Sequence, residues 1–193
     1  GRLDGMPLAI ELAAARMRMM DVARIAALID DRFRLLRGKG RTVSARQQTL
    51  EASVAWSYEL LDDEEQLLAR RLSAMQGFTL EAAEAIASDE QLDRYDVLDL
   101  LTSLTDKSMV QVDHNREGSG YRFLETIRQY LQERLVESGE LDLIRERHMN
   151  YFVELAERCA PVIAFRDSAQ LLAMLESEHP NLEAALQFAD ESG

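Results

Sequence analysis

The sequence predicts a mainly α protein that carries one small β-hairpin. Three observations support that class. Only 9 Gly and 3 Pro punctuate 193 residues, well below the usual shares of about 7% and 5%. Ala, Leu, Glu and Arg, which lose least on entering a helix, are abundant. Apolar residues recur at three- and four-residue spacing along most of the chain, and only two short runs have strand character. With 47% apolar and 30% charged residues, the chain can bury a globular core, and its length suits one large or two small domains.

Pro7 fits the first turn of a helix, where its missing N–H costs nothing. Leu8, Leu12, Ala15 and Met19 then share one face, so residues 7–20 read as amphipathic. Asp21 can cap a second helix carrying Val22, Ile25, Leu28, Ile29 and Leu36. The basic stretch Arg37-Gly38-Lys39-Gly40-Arg41-Thr42 breaks that period and marks a first boundary. Helical spacing resumes over 46–61 with Leu50, Val54, Ser57 and Leu61. Asp62 and Glu65 form a capping box for the next helix (Leu68, Leu72, Met75), which Gly77 is expected to end.

Thr79 caps a short helix across Leu80, Ala83 and Ile86, and Val97, Leu98, Leu101 and Leu104 mark another over residues 95–106. Met109–Val112 and Tyr121–Phe123 are the strand candidates, joined by the turn-forming stretch His114–Gly120. A helix with Ile127, Leu131 and Leu135 follows and ends at Ser138-Gly139. Leu141, Ile144, His148, Phe152, Leu155 and Cys159 then give a long helix, expected to stop at Pro161. Leu171, Leu172 and Leu175 mark one more, and Pro180 opens the last, with Leu182, Ala185, Leu186 and Ala189. Helices, a hairpin and a further helix over residues 45–138 are the chain order of a winged-helix domain, and the antiparallel helices of 140–193 suit a TPR-like array.

Charge narrows the function. The net charge of −13 argues against a general nucleic-acid binder, which needs cations to displace counterions from phosphates. Residues 1–60 hold 10 Lys/Arg and 7 Asp/Glu; the remainder holds 12 and 28. The helix before the hairpin offers Asp96, Asp99 and Asp106 against Lys107, with no Arg, Asn or Gln to read a base edge before Gln111. DNA contact by this winged helix is therefore not expected, and packing on protein is. Catalysis is not expected either. His114, His148 and His179 have no metal-ligand spacing, Glu64-Glu65 and Glu81 with Glu84 read as solvated faces, and no phosphate-binding loop occurs. Cys159 excludes an internal disulfide and suits a reducing, cytoplasmic setting. No membrane-spanning run is present.

The stretch Leu3-Asp4-Gly5-Met6-Pro7-Leu8-Ala9-Ile10-Glu11-Leu12 is by itself a turn feeding a Pro-started helix. It also resembles the G-x-P-L-A motif of STAND-class, NB-ARC-like signalling ATPases. The resemblance continues in order through Arg32–Leu36, Arg46–Leu50, Trp56–Leu61, Gly77–Ala83, Leu104–Ser108, Tyr121–Tyr130 and His179–Leu186. Together these strings are similar to the ATPase segment of bacterial LuxR- or cyclase-linked transcriptional regulators, just after the nucleotide-binding core. The resemblance implies three parts: residues 1–42 finishing a small helical domain, 45–138 a winged helix, and 140–193 the start of a TPR-like array.

It further implies that Pro7 packs against the adenine of ATP or ADP in the full-length protein, with Gly5 and Met6 shaping the turn. No nucleotide is expected to bind this piece tightly, since the phosphate loop and the acidic metal-binding strand would lie upstream. The expected partners are the ATPase core of the same protein and an unknown protein met by the C-terminal helices. Many members carry a His-Asp latch at the end of the second wing strand. Leu124-Glu125 occupies those positions here, with Arg122 and Arg128 as the nearby cations.

Overall fold

The computed structural model describes residues 7–18, 20–27, 45–113, 120–163 and 169–192. Helix α1 (Pro7–Ala15) passes into a 3-10 turn (Arg16–Arg18) rather than running to residue 20, and α2 follows over 22–27. Asp21 caps α2 as expected, its Oδ1 accepting from the Arg24 amide at 2.7 Å. Gly5, Met6 and the basic joint at 37–42 lie outside the described residues.

The middle of the chain has the winged-helix order. After α3 (Ala45–Glu59) come α4 (Asp63–Leu72), β1 (Phe78–Thr79), α5 (Leu80–Ala87), a 3-10 turn (Arg94–Asp96) and α6 (Val97–Asp106). The hairpin strands β2 (Gln111–Asp113) and β3 (Gly120–Arg122) lead into α7 (Glu125–Ser138). The sheet has three antiparallel strands in the order β1-β3-β2, one more than the hairpin alone. Phe78 pairs with Tyr121, and Gln111 with Arg122. A two-residue strand has no period to detect. What fixes β1 is packing: Phe78 is fully buried, stacked on Tyr121 at 5.9 Å and tilted against Phe123 at 5.8 Å.

Local chemistry sets several boundaries. The capping box of α4 is complete: the Glu65 amide donates to Asp62 at 2.8 Å, and the Asp62 amide to Glu65 at 3.0 Å. Helix α4 stops at Leu72, five residues before Gly77, with Ser73 closing its last turn. Met109 and Val110 are buried but outside the strand, because Ser108 (φ 57°) turns the chain there and the Met109 amide returns to Leu104. Gly139 (φ 76°) ends α7 in the left-handed conformation that glycine adopts without a Cβ clash.

The C-terminal part comprises α8 (Leu141–Ile163), α9 (Ala169–Ser177) and α10 (His179–Ser192). Helix α8 runs two residues past Pro161. The proline sits in the final turn, where it forfeits one backbone bond without blocking a continuing helix. Helix α8 packs on α10, α5, α7 and α9. One hydrophobic core runs from Leu12 and Val54 through Leu72, Phe78, Leu101, Ile127 and Ile144 to Ala185, so the C-terminal helices share their interior with the helices and sheet of residues 45–138. A small satellite joins Ala13, Ile25 and Trp56.

Candidate functional site

Four places test the functional reading: the outer face of α6, the buried Glu65 beneath it, the start of α1, and the turn after β3. In a DNA-binding winged helix the α6 face would meet the major groove. Here it exposes Leu98, Asp99, Thr102 and Asp106, and the preceding turn exposes Asp93, Arg94, Tyr95 and Asp96. Tyr95 is 88% and Leu98 46% exposed. Arg94 is engaged by Glu84 at 2.6 Å. The Thr102 hydroxyl donates to the Leu98 carbonyl at 2.8 Å, turned inward on its own helix. Among the described residues, this face is acidic and apolar.

Lys107, the cation that could have offset it, turns inward and donates to Glu65. Sequence reading placed Glu65 on a solvated face; the structure corrects this, since Glu65 is 1% exposed. Its capping position puts it at the start of α4, where the end of α6 crosses. Ser103 donates to its Oε1 at 2.5 Å. Burial opposes the charged form, but hydrogen bonds from Lys107, Ser103 and the Asp62 amide outweigh it and hold the carboxyl below its usual value. One carboxylate thus caps α4, anchors α6 and neutralises the lysine. The capping pattern was legible; the cross-helix partners were not, because nothing local pairs residue 65 with 103 and 107.

Pro7 is exposed as the first residue of α1. Along the same segment Arg16 is 1% exposed and donates to the Ser57 carbonyl at 2.9 Å. Its Nε and Nη1, with Trp56 Nε1 and the Ser57 hydroxyl, are buried without hydrogen-bond partners among the described residues. Burial pushes the Arg16 guanidinium below its ordinary value, and the field of Glu65 partly offsets this. Sequence reasoning did not single out Arg16, since an arginine on an amphipathic helix reads as surface.

At the turn after β3, Leu124 is the N-cap of α7 without a side-chain hydrogen bond, and Glu125 is the first helical residue. Arg128 pairs with Glu125 at 2.9 Å. Arg122 is exposed on β3.

A second charge network joins α4 and the turn after α5 to the start of α8. Arg71, 1% exposed, pairs with Glu140 at 2.6 Å and Asp89 at 2.9 Å and donates to the Ala87 carbonyl at 2.7 Å. Arg70 holds the other oxygen of Glu140 at 2.7 Å, and Arg147 on α8 reaches Asp89 at 3.2 Å. Burial disfavours the Asp89 anion, yet the hydrogen bonds from Arg71 and neighbours lower its pKa to about 2.

Of the histidines, His148 is buried and packs 4.6 Å from the Phe152 ring, His179 is exposed, and His114 lies outside the described residues. Cys159 is a buried core residue. Among the described residues no group of His, Cys, Asp and Glu could hold a metal, and no helix is long and apolar enough to cross a membrane.

No family model matches the chain. The chain is similar to parts of longer bacterial proteins. Over all 193 residues it is 47% identical to "Putative HTH-type transcriptional regulator Rv0890c" of Mycobacterium tuberculosis, and equally to a counterpart of the same description in Mycobacterium bovis. Over 152 residues, 78% of the chain, it is 44% identical to an uncharacterized protein, Rv0894, of Mycobacterium tuberculosis, covering 39% of that protein. The chain spans 22% of the length of the named regulators it matches.

Proposed function

We propose that this chain is a regulatory module inside a longer transcription regulator, and that its winged helix docks on protein rather than DNA. Similarity to named regulators along the whole chain supports the regulator class. The docking half of the reading is carried by one observation. The outer face of α6 exposes Leu98, Asp99 and Asp106, while Lys107 is committed to buried Glu65. Such a face repels phosphate and suits an apolar, basic protein surface. In the intact protein the docking surface would be an ATPase core, with ATP or ADP bound beside Pro7 biasing a docked against a released state.

The relatives' name favours a second reading more directly, in which this winged helix itself contacts DNA. A mobility-shift titration of the chain against duplex DNA at about 150 mM salt separates the two. Absence of a complex is the expected result, and a salt-resistant complex overturns the docking reading. The nucleotide half is tested in the full-length protein, where Pro7→Ala should weaken ADP binding; unchanged affinity removes Pro7 from the site.

A further inference from the structure

We propose that the acidic, apolar outer face of α6 is the docking site for the basic segment Arg32–Ser44 of a second copy of this chain. The pairing rests on the reading that this face meets protein, and it names the partner.

The face has the make-up of an unfilled interface. Tyr95, in the turn before α6, is 88% exposed, and Leu98, three residues on, is 46% exposed. Tyrosine is among the side chains that most often anchor protein interfaces, and here its ring meets water. Exposed Asp93, Asp96 and Asp99 lie between and beside these two apolar groups. Neither Asp96 nor Asp99 has an ion-pair partner among the described residues. The nearby cations are committed elsewhere, Arg94 to Glu84 and Lys107 to Glu65. The field over the face is therefore negative, and a complementary occupant brings cations and apolar side chains together.

Charge identifies that occupant within the chain's own sequence. The whole chain carries −13, yet Arg32-Phe33-Arg34-Leu35-Leu36-Arg37-Gly38-Lys39-Gly40-Arg41-Thr42-Val43-Ser44 holds five cations and no acid. Phe33, Leu35 and Leu36 are interleaved with Arg32, Arg34 and Arg37, so one short stretch offers both components. The segment lies outside the described residues. Residues 32–42 fall in the part expected to finish a small helical domain of the ATPase module, so the contact is winged-helix docking made between copies. Because the two surfaces differ, the contact is heterologous, and a pair leaves one face and one segment open for the next copy.

Sedimentation equilibrium of the chain tests this. At about 20 mM salt the apparent mass should rise with concentration, with a dissociation constant on the order of 10 µM. At about 500 mM salt it should return to that of the monomer. Asp96→Lys with Asp99→Lys reverses the face, and Arg37→Glu with Lys39→Glu reverses the segment. Each pair should weaken self-association at least about tenfold. Mixing the two variants brings an intact segment to an intact face, so the mixture should associate again. Tyr95→Ala should weaken association about tenfold. Glu154→Lys with Glu157→Lys makes the same charge change on the exposed side of α8 and should alter nothing. A chain that stays monomeric at about 100 µM and low salt overturns the proposal. So does a mixture that fails to associate, or self-association that survives the α6 variant. These failures leave the protein-docking reading standing, whereas a salt-resistant DNA complex overturns both.

Discussion

Arg16 and Arg71 are equally buried arginines that live in opposite circumstances. Arg71 meets two carboxylates and a backbone carbonyl, and those contacts raise its pKa against the pull of burial. Among the described residues Arg16 meets one carbonyl and leaves two nitrogens unpartnered, and its pKa is lowered. The difference shows that burial alone says little about what a charge does. A desolvated ion is structural cement only where its partners replace the water it lost. Around Arg71 they do, and α4, the turn at Asp89 and the start of α8 are locked together. Around Arg16 they do not, and the junction of α1 with α3 retains donors for an acceptor.

The largest effect should come from breaking the satisfied side. Arg71→Met leaves Glu140 to Arg70 and Asp89 to Arg147, and should lower stability by about 3 kcal/mol in urea unfolding; a loss under about 1 kcal/mol would show that the network contributes little. Glu65→Gln should cost about 2 kcal/mol, since it leaves Lys107 without its counter-charge and weakens the α4 cap. Arg16→Met should change stability by less than about 1 kcal/mol, because the substitution removes an uncompensated charge and keeps much of the volume. A larger destabilisation would reveal a partner for Arg16 that the contacts above do not contain.

Acid titration sharpens the contrast with smaller steps. His148 has its pKa lowered from 6.5 to about 4 by burial, against a hydrogen bond that its ring N–H donates to the Asn181 side chain. The unfolded chain therefore binds its proton first, and stability should fall as pH drops from about 6.5 toward 4. Asp89 has a folded pKa of about 2 against 3.8. Its contribution is complete above about pH 4 and should be lost as pH falls toward 2. Thermal melts across pH 7 to 2 check both windows. Arg71→Met should narrow the lower window, since the Gln91 amide and Arg147 still hold Asp89, and spare the upper one.

Helix positions were legible because amphipathic periods and caps are local: Asp21, Asp62 with Glu65, Thr79 and Gly139 all mark the ends that sequence placed there. Strand β1 was not, being created by Phe78 stacking on residues more than forty positions away. The acidity of α6 was legible as composition, whereas the inward turn of Lys107 needed the crossing of α4 and α6. Arg16, Arg71 and His148 carry the most informative chemistry and were the least visible. Their meaning depends on partners, or on missing partners, supplied by other helices.

Asn181 carries a consequence for how the chain acquires its shape. From the start of α10 its Oδ1 accepts from the Gln76 amide at 3.0 Å, and its Nδ2 donates to the Gly77 carbonyl at 2.8 Å. The turn that launches β1 is therefore completed by a side chain 105 positions later. During synthesis the winged helix can gather its helices early, yet that turn lacks its last two bonds until α10 has left the ribosome. A chain cut before residue 179 should keep its helices and leave the turn at Gln76-Gly77 open to protease.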